Sequence, residues 1–238
     1  MDPKISVIIV LYNAEKSIKS TLDSLAIQTY RDYEVVVIDG KSKDNTLSVV
    51  NSYREKFPLM RVYSDKDKGI YDAMNKGISL AKGEYLYFLN AGDLLYDEKV
   101  FQIMSNKFNG QSVFYGDAYI KDSEGRINEY RCGNFSKYRL ALTNICHQTI
   151  FYPAFVFKNE MFDLSYYLLA DWAMNMKLWR KHEFRHVKCS TILYEGGGVS
   201  DIEIDKKFKE DRRKNIFKNL GLDAWVYTGL MKVLRIIK

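Results

Sequence analysis

The chain has 238 residues, of which 47% are hydrophobic and 28% are charged, a composition typical of a packed globular protein. Its 3 prolines and 14 glycines are too few for long low-complexity segments. The 3 cysteines are odd in number and widely spaced, which indicates neither a disulfide framework nor a metal-ligand pattern, so a reducing compartment is expected.

The formal net charge of +6 is concentrated near the C-terminal end. Residues 206–238 hold 10 basic and 3 acidic residues, which leaves 26 basic and 27 acidic residues in the rest of the chain. A basic tail on a nearly neutral body indicates a local electrostatic contact and argues against a nucleic-acid partner. The first apolar run is too short to span a membrane and follows no signal-peptide pattern, so a cytoplasmic protein is expected.

Three successive β-α-β units are predicted in the first ninety or so residues. Apolar runs and helical spacing predict strands and helices in alternation: strand Ile5–Leu11, helix Lys16–Ala26, strand Tyr33–Ile38, a helix starting at Lys43–Thr46, strand Met60–Tyr63, helix Tyr71–Leu80 and strand Glu84–Leu89. Because each crossover should be right-handed, we expect a doubly wound sheet with functional loops at the carboxyl ends of its strands.

The pattern is less regular after Asp93. It predicts helix Asp97–Phe108, strands Val113–Tyr119 and Ile127–Arg131 joined by a hairpin turn at 122–125, a helix or its approach within Tyr166–His182, strand Arg185–Tyr194 and a helix over 203–219. No repeat or linker divides the core, so we expect one domain over residues 1–200 and a basic helical extension over 201–238.

Polar side chains follow the predicted parallel strands, and Tyr12, Asp39 and Asp93 should therefore share one crevice. Crowded carboxylates repel one another unless a cation or hydrogen-bond donors lie between them, which favours a ligand with a divalent metal. The alternative for Asp39 is a helix cap. The first strand is followed by VLYNAEKS and not by a glycine-rich phosphate loop, so a pyrophosphate would be held by Mg²⁺ or Mn²⁺ on Asp93.

Two long stretches, PKISVIIVLYNAEKSIKSTLDSLAIQTYRDYEVVVIDGKSKDNT and GIYDAMNKGISLAKGEYLYFLNAGD, resemble the family 2 glycosyltransferases. The shorter CHQTIFY (146–152) and LLADWAMNMKLW (168–179) are similar to later motifs of bacterial members that build O-antigen, capsule or exopolysaccharide. The resemblance implies an α/β fold of GT-A type, a Rossmann-like, mostly parallel sheet flanked by helices with a C-terminal helical extension. Residues 1–95 would bind a nucleotide sugar and residues 96–200 an acceptor.

The resemblance also implies roles for residues of the first half. Tyr12 would stack on the uracil or other base, Val10 would lend backbone contacts, and Asp39 would accept a hydrogen bond from the base. Asp93 would coordinate the metal on the donor diphosphate, and it would be the only carboxylate there because Asn90 stands at the other acidic position of the family's Asp-x-Asp region. Three more residues would lie near the nucleotide or donor sugar: Asp67, Lys68 and Asp72.

In the second half the resemblance implies that Asp171 is the general base of an inverting displacement. Its alternative role is an N-cap on the helix starting at Trp172. His147 and Gln148 would bind the acceptor or the donor phosphates, or serve as structural residues. Trp172 would stack on acceptor sugar or pack in the core. The EGGGVS segment (195–200) would close over the donor or form a wide turn.

The segment Ala224–Ile237 is amphipathic at helical spacing and too short and charged to span a bilayer. With the basic segment before it, it is expected to lie on the anionic inner face of the cell membrane, where a lipid-linked or oligosaccharide acceptor would be met. The alternative is packing on the catalytic domain or in a homodimer. The sequence thus predicts an inverting glycosyltransferase that uses a UDP-sugar. Three rivals remain: a metal-dependent nucleotidyltransferase, a non-catalytic nucleotide-sugar-binding module and a membrane scaffold.

Overall fold

One nine-stranded sheet organises the protein. The computed structural model describes residues 2–121, 124–130, 132–195 and 205–234. Within them nine strands, numbered in chain order, form this single sheet. The predicted α/β architecture is confirmed.

The first half of the sheet is parallel, as predicted. Its elements are β1 (Ile5–Leu11), α1 (Ile18–Ala26), β2 (Tyr33–Asp39), α2 (Thr46–Asn51), β3 (Met60–Ser64), α3 (Ile70–Leu80) and β4 (Tyr85–Phe88). Strand β1 pairs in parallel with both β2 and β4, and β2 pairs in parallel with β3. All residues of β1 and β2 are buried, which explains why their sequences are continuous apolar runs.

The second half mixes parallel and antiparallel pairs. Its elements are β5 (Leu94–Leu95), α4 (Val100–Ser105), β6 (Val113–Lys121), β7 (Ile127–Tyr130), α5 (Lys137–Leu142), β8 (Ile150–Pro153), α6 (Ala170–Trp179) and β9 (Phe184–Glu195). The predicted pairing of β6 with β7 is confirmed, although part of its turn and the EGGGVS loop lie outside the described residues.

Strand β8, which the sequence did not predict, decides the position of the site. It runs antiparallel between β4 and β6. The strand order is β3-β2-β1-β4-β8-β6-β9-β5, with β7 paired to β6 outside this path. Its amino end therefore lies at the same edge of the sheet as the carboxyl ends of β1 to β4. A short 3-10 helix, His147–Thr149, immediately precedes it. The CHQ segment is thereby brought to the edge where the first-half loops meet.

The last two helices, α7 (Lys206–Leu220) and α8 (Leu222–Val233), share the core of the domain. They add four buried residues to one of its two hydrophobic clusters: Phe208, Ile216, Leu220 and Ala224. Asp205 caps α7 by accepting from Phe208 N at 2.9 Å, and its other oxygen accepts from Leu168 N at 2.9 Å, just before α6. The predicted helical extension is thus fixed to the second half of the domain.

Helix α8 packs on α5 and α7 through its inner face, where Ala224 and Thr228 are buried. Trp225 is partly buried and packs against the margin of the core, with Arg213 lying 4.2 Å from its ring. None of the helices in the described ranges is both long and apolar enough to cross a membrane.

Candidate functional site

The loops that follow β1 and β2 are tied together by reciprocal hydrogen bonds. Asn13 N donates to Ser42 Oγ at 2.9 Å, and Asn13 Oδ1 accepts from Lys43 N at 2.9 Å. Asn13 and Lys41 have left-handed φ values of 50° and 66°, a conformation that costs a non-glycine residue about 1–3 kcal/mol. Next to them Tyr12 keeps 60% of its surface exposed, so its ring is available to a flat ligand.

Asp39 is fully buried at the end of β2. Its carboxylate accepts hydrogen bonds from Ser42 N at 3.1 Å and Ser64 Oγ at 2.6 Å. Asp67 lies against the same turn, because a Cβ on Gly40 would come within 2.4 Å of its Oδ2 atom. The structure therefore brings Asp39 and Asp67 together at the strand ends, with a glycine between them where no side chain fits.

Three other residues that were predicted to bind the nucleotide sugar, Asp72, Lys68 and Val10, have different surroundings. Asp72 Oδ2 accepts from Lys68 N at 3.0 Å and lies 3.2 Å from Lys76 Nζ, so this carboxylate holds the loop at the start of α3. The Lys68 side chain is exposed beside it. Val10 is buried in the ladder between β1 and β2, opposite Ile38. Contacts of these residues with a donor stay predictions.

A tight turn places Asn90 and Asp93 after β4. Asp93 N donates to Asn90 O at 3.1 Å, and Gly92, with a φ of 102°, donates to Thr21 Oγ1 at 2.8 Å. Asn90 Oδ1 is buried without a hydrogen-bond partner, which normally costs about 1–3 kcal/mol unless a ligand or ion satisfies the atom. Two oxygen-bearing side chains on one turn suit a hard divalent cation.

The protein supplies few other ligands for such a cation. The described residues contain no group of three or more His, Cys, Asp or Glu side chains able to hold a metal ion. A cation on Asp93 would therefore take most of its ligands from water and from a bound ligand, as Mg²⁺ usually does at phosphate sites.

Gln148 contacts Asp93 from the 3-10 helix before β8. Its Nε2 atom donates to Asp93 Oδ2 at 3.3 Å, while its Oε1 atom accepts from the Cys146 thiol at 3.5 Å. Burial raises the pKa of Cys146 well above its usual value, so the thiol keeps the proton it donates. Tyr87 donates to the Gln148 carbonyl oxygen at 2.8 Å and fixes the backbone.

Asp171 lies in the first turn of α6 and is 7% exposed. Its Oδ1 atom lies 2.8 Å from the Tyr71 hydroxyl, and its Oδ2 atom accepts from Asn144 Nδ2 at 2.6 Å. The helix is capped at Leu169, without any side-chain hydrogen bond. The alternative that Asp171 is an N-cap is therefore wrong.

A buried polar chain supports this carboxylate. Asn144 Oδ1 accepts from Asn175 Nδ2 at 2.9 Å, and Asn175 Oδ1 accepts from the Tyr152 hydroxyl at 2.8 Å. On the other side the Tyr71 hydroxyl also lies 2.6 Å from the Leu168 carbonyl oxygen. Burial, followed by the charge of Asp171, raises the pKa of Tyr71 far above its usual range, so this phenol stays a donor. The carboxylate is held in one orientation.

His147 lies beside Asp171, with its Nδ1 atom 3.9 Å from Oδ2. Its ring stacks on Phe88 at 5.3 Å and meets Phe162 edge-on at 5.9 Å. Neither ring nitrogen has a hydrogen-bond partner, although both are buried. Burial lowers the pKa of His147, an effect that the charge of Asp171 opposes. A neutral imidazole has one hydrogen-bond donor and one acceptor, and among the described residues neither of them has a partner.

One predicted contact needs correction. Trp172 donates its indole N–H to the Leu140 carbonyl oxygen at 2.7 Å, and its ring packs at 5.1 Å from that of Phe208. Arg212 lies 4.8 Å from the same ring. Trp172 therefore fills the space between α5, α6 and α7, as the core alternative held, and does not stack on an acceptor sugar.

Sequence reasoning missed two residues of the site, Tyr71 and Asn144. Both lie inside or next to segments that carried the family resemblance, since Tyr71 belongs to GIYDAMN and Asn144 lies two positions before CHQ. No local pattern marked either as a partner of Asp171. Their position in those segments was the one available signal.

Comparisons with known proteins agree with this geometry. A model of "Glycosyl transferase family 2" matches residues 6–163. A "PGL/p-HBAD biosynthesis glycosyltransferase" of Mycobacterium tuberculosis is 34% identical over 216 residues, which cover 87% of this chain and 82% of that protein.

Solved structures share the fold at lower identity. S. aureus TarS 1–349 in complex with UDP-GlcNAc aligns with a TM-score of 0.70 at 22% identity, over 91% of this chain and 66% of that one. The mannosyltransferase PcManGT from Pyrobaculum calidifontis, in complex with GDP-Man and Mn²⁺, aligns with a TM-score of 0.62 at 18% identity, over 92% and 62%. The expected GT-A architecture is thereby confirmed.

Proposed function

The chain belongs to glycosyl transferase family 2 and is a glycosyltransferase, and from that premise we propose that it transfers a sugar, with inversion, from a UDP-sugar to an oligosaccharide or lipid-linked acceptor. The acceptor would belong to a bacterial surface polysaccharide. A released nucleoside diphosphate is the second product.

One observation carries this proposal: two consecutive residues contact the two carboxylates on which the reaction depends. Gln148 donates to Asp93 at 3.3 Å, and His147 lies 3.9 Å from Asp171. One short segment before β8 therefore lies against both the turn that carries Asp93 and the helix that carries Asp171. A direct displacement needs the donor diphosphate and the general base to be held by one site in this way.

The reaction would proceed in one displacement. An acceptor hydroxyl oxygen attacks the anomeric carbon of the donor while Asp171 takes the hydroxyl proton. The bond between that carbon and the diphosphate oxygen breaks, and the nucleoside diphosphate leaves with the electron pair. Tyr71 and Asn144 hold Asp171 in place, and the neutral His147 orients the acceptor hydroxyl through its unpartnered nitrogens.

The residues present fit a divalent cation at the donor diphosphate. The buried, unpartnered Asn90 Oδ1 and the carboxylate of Asp93 would hold Mg²⁺ or Mn²⁺ together with diphosphate oxygens. When bound, the cation would offset negative charge on the leaving diphosphate. PcManGT, of the same fold, is a Mn²⁺ complex.

The base-binding part of the site supports a nucleotide donor. Tyr12 offers an exposed ring just after Leu11, which pairs with Asp39 at the end of β2. TarS binds UDP-GlcNAc on the same fold. UDP is the nucleotide that we propose for this chain.

The test is to incubate the protein with a panel of UDP-sugars and Mn²⁺ or Mg²⁺ and to identify the product. Release of UDP, lost in Asp171→Asn while donor binding persists, supports glycosyl transfer. Release of pyrophosphate would instead indicate a nucleotidyltransferase. Donor binding with no turnover, indifferent to Asp171→Asn, would indicate a non-catalytic binding module.

We also propose that the protein works at an anionic membrane surface, in the cytoplasm. Helix α8 carries an exposed apolar stripe at spacings of three and four residues, formed by Leu222, Val226, Leu230 and Val233. Their exposed fractions run from 43% to 79%. The exposed Lys214, Lys218 and Lys232 lie on α7 and α8. An apolar face bordered by lysines suits an interfacial contact with anionic lipid, where a lipid-linked acceptor would be met.

A further inference from the structure

A second cavity, of about 490 Å³, opens between β6, β7 and β9. It is lined by Asp117, Glu129, Gly133, Asn134, His186, Lys188, Cys189 and Ser190. None of these residues belongs to the site described above. The volume suits one or two sugar rings, since pockets for small ligands measure about 300–1,000 Å³.

The floor of the cavity is a buried ionisable pair. His186 Nε2 and Asp117 Oδ1 are 2.9 Å apart, with side chains that are only 8% and 13% exposed. Asp117 also accepts from Gly133 N at 3.2 Å. The pair is therefore held rigidly by two different segments.

An irregularity in the sheet aims Asp117 at this space. The pairing of β6 with β9 shifts register on both sides of Asp117. Gly116 makes the close approach of the two strands feasible, because a Cβ there would come within 2.5 Å of the Cys189 carbonyl oxygen. Such bulges commonly re-aim a side chain next to an active site.

The cavity lies close to the segment that carries His147. Strands β6 and β9, which line the cavity, both contact the 3-10 helix His147–Thr149. Tyr115, two residues before Asp117, pairs with Ile150 at the start of β8. The cavity thus lies at the same edge of the sheet as the His147–Asp171 contact.

The lining groups favour a hydroxyl-rich, uncharged ligand. Asp117 and Glu129 would repel a phosphate. No described cluster suits a metal ion. The side chains of Asn134 and Lys188 are exposed at the rim and can donate hydrogen bonds to a ligand, and carboxylate oxygens can accept them. Carboxylate, amide and ammonium groups around one cavity match the alternating donors and acceptors of sugar hydroxyls.

We propose that this cavity is a carbohydrate subsite that holds a sugar of the acceptor glycan remote from the attacking hydroxyl. The inference rests on the proposed function, because it assigns part of the same acceptor. It predicts that the enzyme recognises acceptors longer than a single sugar. Remote contacts of this kind position the reacting hydroxyl without touching the reacting atoms.

The test is binding of the full chain to an array of bacterial tri- to hexasaccharides, compared with the double variant Asn134→Ala/Lys188→Ala. Both side chains are exposed, so the variant should fold. We expect the wild type to bind a subset of glycans and the variant to bind them ~10-fold or more weakly, a loss of about 1.4 kcal/mol. The control Asn106→Ala/Lys209→Ala, which removes the same residue types from exposed positions on other elements, should bind as wild type.

Two results would overturn the subsite: a wild type that binds none of these glycans, or a double variant with an unchanged glycan profile. The rate of UDP release from the donor alone, measured in parallel, should be equal in wild type and variant. Absence of UDP release in the wild type would reject the proposed function itself, whereas unchanged release with unchanged glycan binding would reject the subsite alone.

Discussion

Gln148 donates a hydrogen bond to Asp93 across 3.3 Å, and this contact joins the two halves of the chain at the site. Asp93 ends the turn after β4, whereas Gln148 belongs to the 3-10 helix that leads into β8. Because β8 is inserted antiparallel beside β4, these segments meet at one edge of the sheet. The Cys146 thiol fixes the orientation of the Gln148 amide, so its N–H group and not its oxygen faces the carboxylate.

Replacing Asp171 by asparagine should abolish turnover without abolishing donor binding. The amide keeps the shape of the carboxylate but cannot take a proton, and loss of a general base typically lowers the rate by ~10²–10⁴-fold. The measurement is UDP release at saturating donor, together with the donor Kd. Asp163→Asn, on an exposed loop before α6, serves as the control and should retain the wild-type rate. A rate in Asp171→Asn within about twofold of wild type would refute the assignment.

Replacing Asn90 by aspartate should make the fold depend on metal. A second carboxylate beside Asp93 would be repelled in the absence of a cation and stabilised in its presence. We expect the Tm of Asn90→Asp to lie below that of the wild type in EDTA and to rise more on addition of Mn²⁺. Thermal unfolding with and without Mn²⁺ checks this, with the exposed Asn106→Asp as control. Equal Mn²⁺ responses in all three proteins would contradict a cation site at this turn.

Tyr12→Ala should weaken donor binding, whereas Tyr12→Phe should not. Stacking of a base on an aromatic ring contributes about 1–3 kcal/mol, so the alanine variant should raise the donor Kd by ~10-fold or more. The ring is 60% exposed, and its loss should leave the free energy of unfolding nearly unchanged. Titration calorimetry with UDP distinguishes the two variants. Similar Kd values for all three proteins would mean that the base binds elsewhere.

The first half of the fold could be predicted because each of its elements has its own hydrophobic pattern in the sequence. Strands β1 and β2 are continuous apolar runs, and helices α1 and α3 bury residues at helical spacing. Strand β8 has only four residues and ends at Pro153, which leaves too short a run for a period to be recognised. Helix α4 has only six residues, Val100–Ser105, and was predicted too long, over Asp97–Phe108.

The strand-end pattern indicated candidate residues in the first half, whereas in the second half a candidate residue was named only where a family motif contained it. Asp171 was identified, but its partners Tyr71 and Asn144 lie 100 and 27 positions away in the chain. Such contacts depend on the packing of α3, α5 and α6 and leave no local pattern. Trp172 shows the same limit, since sequence spacing does not distinguish a ring that packs on Phe208 from one that binds sugar.

The buried His147 should make stability depend on pH. Burial lowers its pKa in the folded state below the value of about 6.5 expected in the unfolded chain. As the pH falls through 6.5 or so, the unfolded chain therefore gains a proton that the folded protein does not, and the free energy of unfolding falls. His182, whose pKa burial also lowers, contributes with the same sign.

His147→Phe should reduce this pH dependence while retaining the ring that stacks on Phe88. Urea unfolding between about pH 7 and about pH 5 gives the slope for each protein, and the slope should be smaller in the variant because only His182 of this pair remains. The variant should also lose transfer activity, since it has no imidazole to orient the acceptor. An identical slope in both proteins would show that His147 is not held neutral by burial.

Charging the outer face of α8 should release the protein from anionic membranes without unfolding it. Val226 and Leu230 are 43% and 57% exposed, so the double variant Val226→Glu/Leu230→Glu loses little buried apolar surface. It places two negative charges against the lipid. We expect the wild type to co-sediment with vesicles containing phosphatidylglycerol, less so at high salt, and the variant to remain in solution. Leu59→Glu, at a position 56% exposed on another face, should bind as wild type. Because UDP release in solution does not involve this face, it should be equal in all three proteins. Vesicle binding that survives the two glutamates would mean that the stripe serves another contact.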